Sequence, residues 1–148
     1  MLIRHEGFRL KPYRCSAGKL TVGVGKNLDA SGFTEPELQK IQTNGITEKQ
    51  AYEWLDEGIA ESIHDLRDVF SEFDQFSDSL QLAFIDMRFN LGRAGFLKFK
   101  KLIEAIRNND FITAATEMQQ SRWFSQVGNR AKEVQTLVLH NMKLNTKE

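Results

Sequence analysis

The feature that most constrains the fold is a stretch near the amino terminus that joins a short helix to a hairpin. Residues 5–25 read HEGFRLKPYRCSAGKLTVGVG. The pattern over Leu2–Glu6 predicts a short amphipathic helix, and Gly7 ends it because glycine readily takes the left-handed conformation found after helices. A turn at Ser16-Ala17-Gly18 and the alternating apolar and small residues of Leu20–Val24 then predict a β-hairpin.

This order of elements places three polar side chains on neighbouring short segments. Glu6 lies at the end of the helix, Cys15 precedes the hairpin turn, and Thr21 lies on the returning strand. We expect these side chains to face one another across a small cleft. They are therefore the first candidates for chemistry.

Chain length and cysteine content limit the architecture. A chain of 148 residues buries about two-thirds of its unfolded surface, so we expect one domain, in two lobes, that needs no disulfides or metals. The only cysteine, Cys15, suits a reducing compartment. Arg4, His5 and Glu6 interrupt the apolar start, so we predict no signal peptide and no transmembrane segment. We therefore expect synthesis in the cytoplasm and no stable membrane insertion.

The net charge is zero, but the charges are unevenly distributed. Residues 1–28 carry a net charge of +5, residues 29–80 carry −10 and residues 81–148 carry +5. Two basic ends suit an anionic polymer bound between them, although a solvated acidic helix without any binding role explains the acidic middle equally well. Nucleic-acid binding would need a concentrated basic face, and the acidic middle argues against it.

Hydrophobic periodicity predicts a long helix over residues 47–70. Thr47 is a suitable N-cap, and acidic residues, including Asp65, occupy the face opposite the apolar side chains. The length of about 30 Å would let the helix connect two lobes. The apolar positions recur at three- and four-residue steps: Ala51, Leu55, Ile59, Ile63 (or Ser62), Leu66 and Phe70.

The other segments are less regular. Residues 26–46 predict a loop-rich connector with one helical turn near Glu37–Ile41. Residues 79–90 are apolar on nearly every face, which predicts a buried central helix that Gly92 and Gly95 end. Further helices are predicted around Phe96–Ile106, from near Asp110 and from Asn129 to a polar tail.

The stretch at residues 5–25 resembles the active-site segment of the phage-type lysozymes, glycoside hydrolase family 24. The family pattern is a glutamate, eight residues, an aspartate or cysteine, five residues and a threonine, which Glu6, Cys15 and Thr21 match without an insertion. The more familiar members carry an aspartate where this chain has Cys15. Further stretches resemble the same family: Asn44–Thr47, Met87–Gly92 with Gly95-Phe96, and Ser121–Gln126 with Asn129–Lys132.

The resemblance implies an α+β, mainly helical, lysozyme-like fold with two lobes. We expect a single domain over residues 1–148, in which residues 8–46 form a small lobe with the β-hairpin, residues 47–70 form the connecting helix, and residues 1–7 with 71–148 form the helical lobe. Substrate would lie in the cleft between the lobes. The implied reaction is hydrolysis of the β-1,4 bond between N-acetylmuramic acid and N-acetylglucosamine in peptidoglycan, without a metal or cofactor.

Glycoside hydrolysis needs an acid for the leaving oxygen and usually a second group on the other face of the sugar. Glu6 is the candidate acid, and a partly desolvated site would favour its role. An unperturbed thiol has a pKa of about 8.5, so Cys15 would act as a thiolate base, as a weak positioner of water or as a nucleophile. The family's inversion of configuration favours the two water roles. Thr21 would hold the attacking water.

The resemblance adds three candidates for substrate binding from the helical lobe. Arg122 would meet a stem-peptide carboxylate, Asn90 would orient Glu6, and Arg130 would lie beside Glu6. Each is explained equally well as a surface or capping residue. Trp123 is better explained as a core residue than as a platform for sugars.

Two other functions fit the same residues. A lytic transglycosylase would use Glu6 alone, because the hydroxyl of the muramic acid replaces water, and the absence of a second carboxylate favours this alternative. A non-catalytic peptidoglycan-binding module with a decayed site would bind the wall without cleaving it. His5, His64 and His140 lack the spacing of a metal site.

The expected partners follow from the lysozyme interpretation. We expect a monomer that binds peptidoglycan glycan strands and no nucleic acid. The protein would accumulate in the cytoplasm of the host bacterium before lysis and then act on the cell wall. A separate membrane-permeabilising protein would give it access to the wall.

Overall fold

The computed structural model describes residues 1–15 and 18–145, and their side chains as far as residue 141. The chain divides into two compact units, Met1–Ala60 and Glu61–Glu148, with the boundary inside a long helix. The first unit contains α1 (Leu2–Glu6), β1 (Arg9–Arg14), β2 (Leu20–Gly23), β3 (Lys26–Asn27), α2 (Glu35–Asn44) and the start of α3 (Glu48–Val69). The second contains a 3₁₀ turn (Phe73–Gln75), α4 (Asp78–Leu97), α5 (Lys100–Arg107), α6 (Phe111–Gln119), α7 (Arg122–Val127) and α8 (Asn129–Asn145).

Helices dominate, and the one sheet is small and antiparallel. This confirms the predicted α+β, mainly helical, lysozyme-like class. The single-domain organisation over residues 1–148 stays a prediction. In the part of the chain that the structure describes, no helix combines the length and the apolar character needed to cross a lipid bilayer.

The predicted helix and hairpin both form at the amino terminus. α1 ends at Glu6, and Gly7 follows with a φ of 80° and donates its N–H to the Ile3 carbonyl at 2.8 Å. β1 and β2 pair antiparallel with Tyr13 opposite Thr21, and β3 pairs with the other edge of β2. The amino-terminal pattern therefore predicted these elements correctly.

The predicted turn at Ser16-Ala17-Gly18 includes two positions, 16 and 17, that lie outside the described residues. On either side of them, the Cys15 N–H donates to the Lys19 carbonyl at 2.9 Å, and the Gly18 N–H donates to the Cys15 carbonyl at 2.8 Å. These bonds close the hairpin just beyond the end of β1.

The register of β1 against β2 contains a bulge. Arg9 lies opposite Gly23 and Tyr13 lies opposite Thr21, so β1 advances four residues while β2 advances two. Pro12, which has no N–H to donate, falls inside this segment. Because a bulge bends its strand and redirects side chains, it determines which side chains of β1 lie close to one another.

α2 is a helix of 10 residues that contains the helical turn predicted near Glu37–Ile41, but it is longer than predicted, so the connector over residues 26–46 is less loop-rich than expected. Thr34 caps the helix: its hydroxyl accepts the Glu37 N–H at 3.4 Å, and its own N–H donates to the Glu37 carboxylate at 3.1 Å. Pro36 in the first turn is compatible with this start. None of the residues of α2 is fully buried, and only Leu38 and Ile41 form a narrow apolar face, which is too short to reveal the full length of the helix.

α3 confirms the long helix predicted over residues 47–70. The Thr47 hydroxyl accepts the Gln50 N–H at 3.1 Å, as expected of an N-cap. In the first unit this helix contributes Ala51 and Leu55 to a small core. The remaining buried apolar residues of that core are Leu2, Val22, Val24 and Leu28.

Asp65 is buried, so its predicted place on the solvent face of the long helix was wrong. Its side chain accepts hydrogen bonds from Arg88, at 2.8 Å to Nε, and from Arg93. Burial by itself raises the pKa of Asp65, but the hydrogen bonds and positive charges of Arg88 and Arg93 outweigh burial and hold that pKa below its ordinary value. The carboxylate therefore joins α3 to α4 through charge-assisted bonds.

The core of the second unit is rich in phenylalanine. Phe84 of α4 is fully buried, and its ring centroid lies 5.2 Å from that of Phe70 and 6.0 Å from that of Phe96. α4 is therefore the buried central helix predicted for residues 79–90. Helices α5 to α8 contribute further buried apolar side chains: Leu102, Ile103, Ala105, Ile106, Phe111, Ala114, Ala115, Met118, Trp123, Ala131, Val134 and Val138.

The predicted end of the central helix is only partly correct. Gly92 leaves helical geometry, with a φ of 74° and a ψ of 171°, but the helix resumes and continues to Leu97, so Gly95 does not end it. α6 begins as predicted, since the Asp110 carboxylate accepts the Thr113 N–H at 3.1 Å. α7, which Ser121 caps, was not predicted.

Candidate active site

Glu6 is the last residue of α1, and its carboxyl group lies against the turn between β2 and β3. Gly25 belongs to that turn and has a φ of 64°. A Cβ atom at Gly25 would lie 2.6 Å from Oε2 of Glu6 and 2.9 Å from its Cδ. Only glycine leaves room for the carboxyl group here. We call the space beside Gly25 that the Glu6 carboxyl group occupies the seat of Glu6.

Tyr13 connects the end of α1 to β1. Its hydroxyl donates to the backbone carbonyl of Glu6 at 3.3 Å. The guanidinium of Arg9 lies over the ring of Tyr13, with Cζ 4.5 Å from the ring centroid, in a cation–π contact. The bulge between Arg9 and Tyr13 accompanies this stacking of two residues from one strand.

Cys15 and Thr21 lie on the face of the hairpin that carries Tyr13. Thr21 is directly opposite Tyr13, and opposed residues of an antiparallel pair project to the same side. Cys15 follows Tyr13 by two residues, the period at which side chains return to one face. The bond from Cys15 to Lys19 continues the register, so Cys15 and Thr21 are diagonal neighbours at about 7–8 Å.

The hydroxyl group of Thr21 is held in one orientation. Thr21 is only 5% exposed, and its Oγ1 donates to the Lys19 carbonyl at 2.9 Å. Because this bond uses the hydroxyl hydrogen, Oγ1 can only accept further hydrogen bonds. Thr21 is therefore suited to accept a hydrogen bond from a water molecule.

The environment of Tyr13 changes its pKa. Burial raises the pKa of Tyr13, the negative charge of Glu6 raises it further, the Arg9 guanidinium lowers it in part, and the Cys15 thiolate raises it. The phenol is therefore neutral at neutral pH, and Glu6 and Cys15 both lie within electrostatic reach. Tyr13 therefore bonds to the backbone of Glu6, lies opposite Thr21 and precedes Cys15 by two residues, while the catalytic roles of Glu6, Cys15 and Thr21 stay predictions.

The three predicted substrate-binding residues lie in the second unit. Asn90 on α4 accepts the indole N–H of Trp123 at 2.7 Å, so the NH₂ of its amide is left to act as a donor. Arg130 on α8 donates from Nε to the Asp86 carboxylate at 2.8 Å, with the two side chains only 10% and 1% exposed. Arg122 is exposed on α7. Binding of substrate by Asn90, Arg122 and Arg130 stays a prediction.

Three residues that contact the candidate site residues were not identified from the sequence. The hydroxyl of Tyr13 bonds to a backbone carbonyl. Such a bond does not depend on the residue type of its partner, so no sequence motif indicates it. Gly25 was given no role because it follows the predicted strand residues, and glycine is common in turns. Asp86, by contrast, could have been found, because a carboxylate inside a buried helix requires a cationic partner, here Arg130.

A groove of about 530 Å³ lies elsewhere in the second unit. Its lining residues are Lys98, Phe99, Lys100, Lys101, Leu102, Glu117, Gln120 and Ser121. Three lysines against one glutamate favour anions there, but the groove includes none of the predicted site residues. Over residues 1–15 and 18–145, no group of three or more His, Cys, Asp or Glu side chains is placed to hold a metal ion.

The sequence pattern and the arrangement of these residues agree with a comparison against known families. The model of the family described as phage lysozyme matches residues 3–142. The chain belongs to the phage lysozyme family. It is therefore a lysozyme-like enzyme, and lysozymes hydrolyse peptidoglycan.

Individual relatives extend over most of the chain. Probable T4-type lysozyme 2 of Dictyostelium discoideum is 26% identical, over 90% of this chain and 88% of the relative. Probable T4-type lysozyme 1 of the same organism is 24% identical, over 93% and 91%. The pre-baseplate central spike protein Gp5 of Enterobacteria phage T4 is 27% identical over 94% of this chain, which spans only 27% of that longer protein.

Proposed function

We propose that the protein is an N-acetylmuramidase of glycoside hydrolase family 24 with a Glu6-Cys15-Thr21 triad. It would cleave the β-1,4 bond between N-acetylmuramic acid and N-acetylglucosamine. The observation that supports the proposal is the position of Tyr13, which donates to the backbone carbonyl of Glu6, lies opposite Thr21 and precedes Cys15 by two residues. Together they supply an acid for the leaving oxygen and groups for a water molecule, as glycoside hydrolysis requires.

In this mechanism Glu6 is the general acid. Its carboxyl group donates a proton to the glycosidic oxygen while the bond from that oxygen to C1 of the muramic acid breaks. The N-acetylglucosamine leaves with a free 4-hydroxyl group, and positive charge develops at C1. The seat against Gly25 supports this role, since a general acid must be held within reach of one oxygen atom.

Thr21 and Cys15 act on the attacking water. The water donates one hydrogen bond to Oγ1 of Thr21, which can only accept because its own hydrogen is bonded to the Lys19 carbonyl. The oxygen of the water attacks C1 from the face opposite the leaving group, which inverts the configuration. Cys15, diagonal to Thr21, takes the remaining proton as a thiolate, or it orients the water as a thiol while that proton passes to the surrounding solvent. A nucleophilic cysteine would retain the configuration.

Cys15 also gives a specific reason for a second candidate function. A thiol lies where the more familiar members carry a carboxylate, and a lytic transglycosylase needs only the single carboxyl group of Glu6. In that reaction the 6-hydroxyl of the muramic acid attacks its own C1, and no water is consumed. The product then ends in an anhydro sugar instead of a reducing sugar.

The deciding experiment is mass spectrometry of the soluble fragments released from purified peptidoglycan. Fragments that carry one added water support the muramidase, and anhydro ends support the transglycosylase. Borohydride reduction followed by sugar analysis shows whether muramic acid or glucosamine is the new reducing end. Protein that pellets with the wall and releases no fragments would contradict both enzymes and indicate a binding module.

The proposal also covers the oligomeric state, the partners and the cellular location of the enzyme. The protein would act as a monomeric single domain on glycan strands, after release from the host cytoplasm through a separate membrane-permeabilising protein. The lone thiol of Cys15 supports a reducing compartment. Light scattering tests the monomer, calorimetry tests for one cooperative unfolding transition, and expression with and without a membrane-permeabilising protein tests the route to the wall.

A further inference from the structure

We propose that Tyr13 is a positioning residue of this active site, which holds the helix end that carries Glu6 over the hairpin face that carries Cys15 and Thr21. The inference rests on the proposed function. Tyr13 belongs to no part of the Glu-Cys-Thr pattern, and its role follows from what its ring and hydroxyl touch.

The first step of the argument concerns the end of α1. This helix has only five residues, and a helix so short is not stable by itself in water. The last carbonyl groups of a helix also have no partner within the helix. The Tyr13 hydroxyl supplies a partner to the carbonyl of Glu6 at 3.3 Å. It therefore fixes the backbone of the residue whose side chain is the candidate acid.

The second step concerns the face of the hairpin. Tyr13 lies opposite Thr21 and two residues before Cys15, so its ring stands beside both groups that would handle water. Arg9 stacks on the ring, with its Cζ 4.5 Å from the centroid, and limits the rotation of the ring. One side chain thus contacts the acid's backbone and flanks the water site.

The third step distinguishes positioning from catalysis. The hydroxyl hydrogen of Tyr13 is donated to a carbonyl oxygen, so it is not available to protonate a leaving group. Burial raises the pKa of Tyr13, which keeps this hydrogen in place over the neutral range. Tyr13 therefore acts on the reaction through Glu6 and through the water site.

The test is Tyr13→Phe, with Tyr52→Phe as the matched control. These are the two tyrosines of the chain, and Tyr52 is 49% exposed on α3. Kinetics on soluble glycan fragments should show kcat lowered about tenfold in Tyr13→Phe, the effect of losing a positioning bond. KM should stay within about twofold, because the bond orients the acid and does not bind the sugar. Tyr52→Phe should match the wild type in both constants.

A second measurement does not depend on activity. In protein labelled with ¹³C at glutamate carboxyl groups, Glu6→Gln identifies the signal of Glu6 by its loss. Tyr13→Phe should shift that signal, whereas Tyr52→Phe should leave it unchanged. Tyr13→Leu, which also removes the ring under Arg9, should lower kcat further than Tyr13→Phe does.

The outcomes separate this inference from the proposed function. Wild-type kcat or an unmoved Glu6 signal in Tyr13→Phe overturns the positioning role, while cleavage that depends on Glu6 leaves the proposed function intact. A lower melting temperature with unchanged kcat per folded molecule shows a structural role and also overturns it. Full cleavage by Glu6→Gln overturns the proposed function and the inference with it.

Discussion

The two compact units of the chain are built differently. Among the described residues of the first unit, six apolar side chains are buried, none of which belongs to α2, and turns with positive φ at Gly23 and Gly25 shape the backbone. In the second, α4 carries Phe84 at the centre of a phenylalanine cluster that the later helices extend. The candidate acid and water groups all lie in the unit with the smaller core.

This difference indicates that the side chains of the candidate site are positioned by local backbone geometry more than by burial in a core. Glu6 is placed by a glycine, by a hydroxyl bond and by the end of a five-residue helix. Such devices contribute little to the free energy of unfolding but fix side chains closely. Substitutions in the first unit should therefore mainly change activity, and substitutions in the core of the second should mainly change stability.

The largest effect on activity is expected from Glu6→Gln. Removal of the general acid should lower kcat by about a thousandfold, while the melting temperature stays within a few degrees because a half-buried carboxyl group becomes an amide of the same shape. Release of soluble fragments and circular dichroism measure the two effects. A folded Glu6→Gln enzyme with a tenth of wild-type activity would remove Glu6 as the acid.

The reverse behaviour is expected from Phe84→Ala in the second unit. Deleting a fully buried phenylalanine should lower the free energy of unfolding by about 3–5 kcal/mol, with kcat per folded molecule unchanged. Denaturant titration measures the loss. Leu82→Ala, on the same helix but 48% exposed, is the control and should change stability by less than about 0.5 kcal/mol. Equal losses in the two variants would contradict the proposed contrast.

Gly25→Ala should separate geometry from stability within the first unit. The new methyl group would overlap the Glu6 carboxyl group, so activity should fall by about a hundredfold. The backbone strain should cost only about 1–2 kcal/mol. Gly32→Ala has a similar φ of 73° with no atom within 4 Å of its Cβ, so it should lose comparable stability and keep its activity. Similar activity in the two variants would show that Glu6 does not need this seat.

The ion pairs of Asp65 make the stability of the second unit sensitive to acid. Because Arg88 and Arg93 hold the pKa of Asp65 below its ordinary value, its contribution is present above the unfolded pKa of about 3.9 and is lost as the pH falls through the folded pKa. Asp65→Asn should lose about 2 kcal/mol at neutral pH and show a smaller further loss on acidification. Thermal melting from pH 7 to pH 3 compares the variant with the wild type, and parallel curves would contradict the assignment.

The smallest effect is expected from Cys15→Asp. The hairpin face should accept a carboxylate there, so activity should stay within about tenfold of the wild type, whereas alkylation of the thiol should block the water site and inhibit. Fragment release before and after iodoacetamide treatment measures both. Loss of activity in a folded Cys15→Asp protein would indicate that the thiol has chemistry of its own, and a fully active alkylated enzyme would place Cys15 outside the site.

The parts of the fold that sequence predicted are those with a strong periodic signal or a dense motif. α3 and the hairpin have both, and the segment with Glu6, Cys15 and Thr21 was recognisable as a family pattern. The length of α2 was underestimated because its apolar face is limited to Leu38 and Ile41, although Thr34 and Glu37 form a capping box that marks its start. Asp65 was misplaced because side-chain type alone does not show that Arg88 and Arg93 converge on it. Tyr13 was missed because its partner is a backbone atom.

The exposed helix α2 has a consequence for how the chain can change during evolution. None of its residues Glu35–Asn44 is fully buried, and Leu38 and Ile41 are only partly buried. Just after it, the Ile46 N–H donates to the Leu10 carbonyl at 2.7 Å and fixes the return to α3. The polar positions of the helix, such as Gln39 and Lys40, are exposed, so substitutions there should disturb no core packing. The outward face of α2 can therefore change in sequence, or carry a fluorescent label, while the seat of Glu6 stays intact.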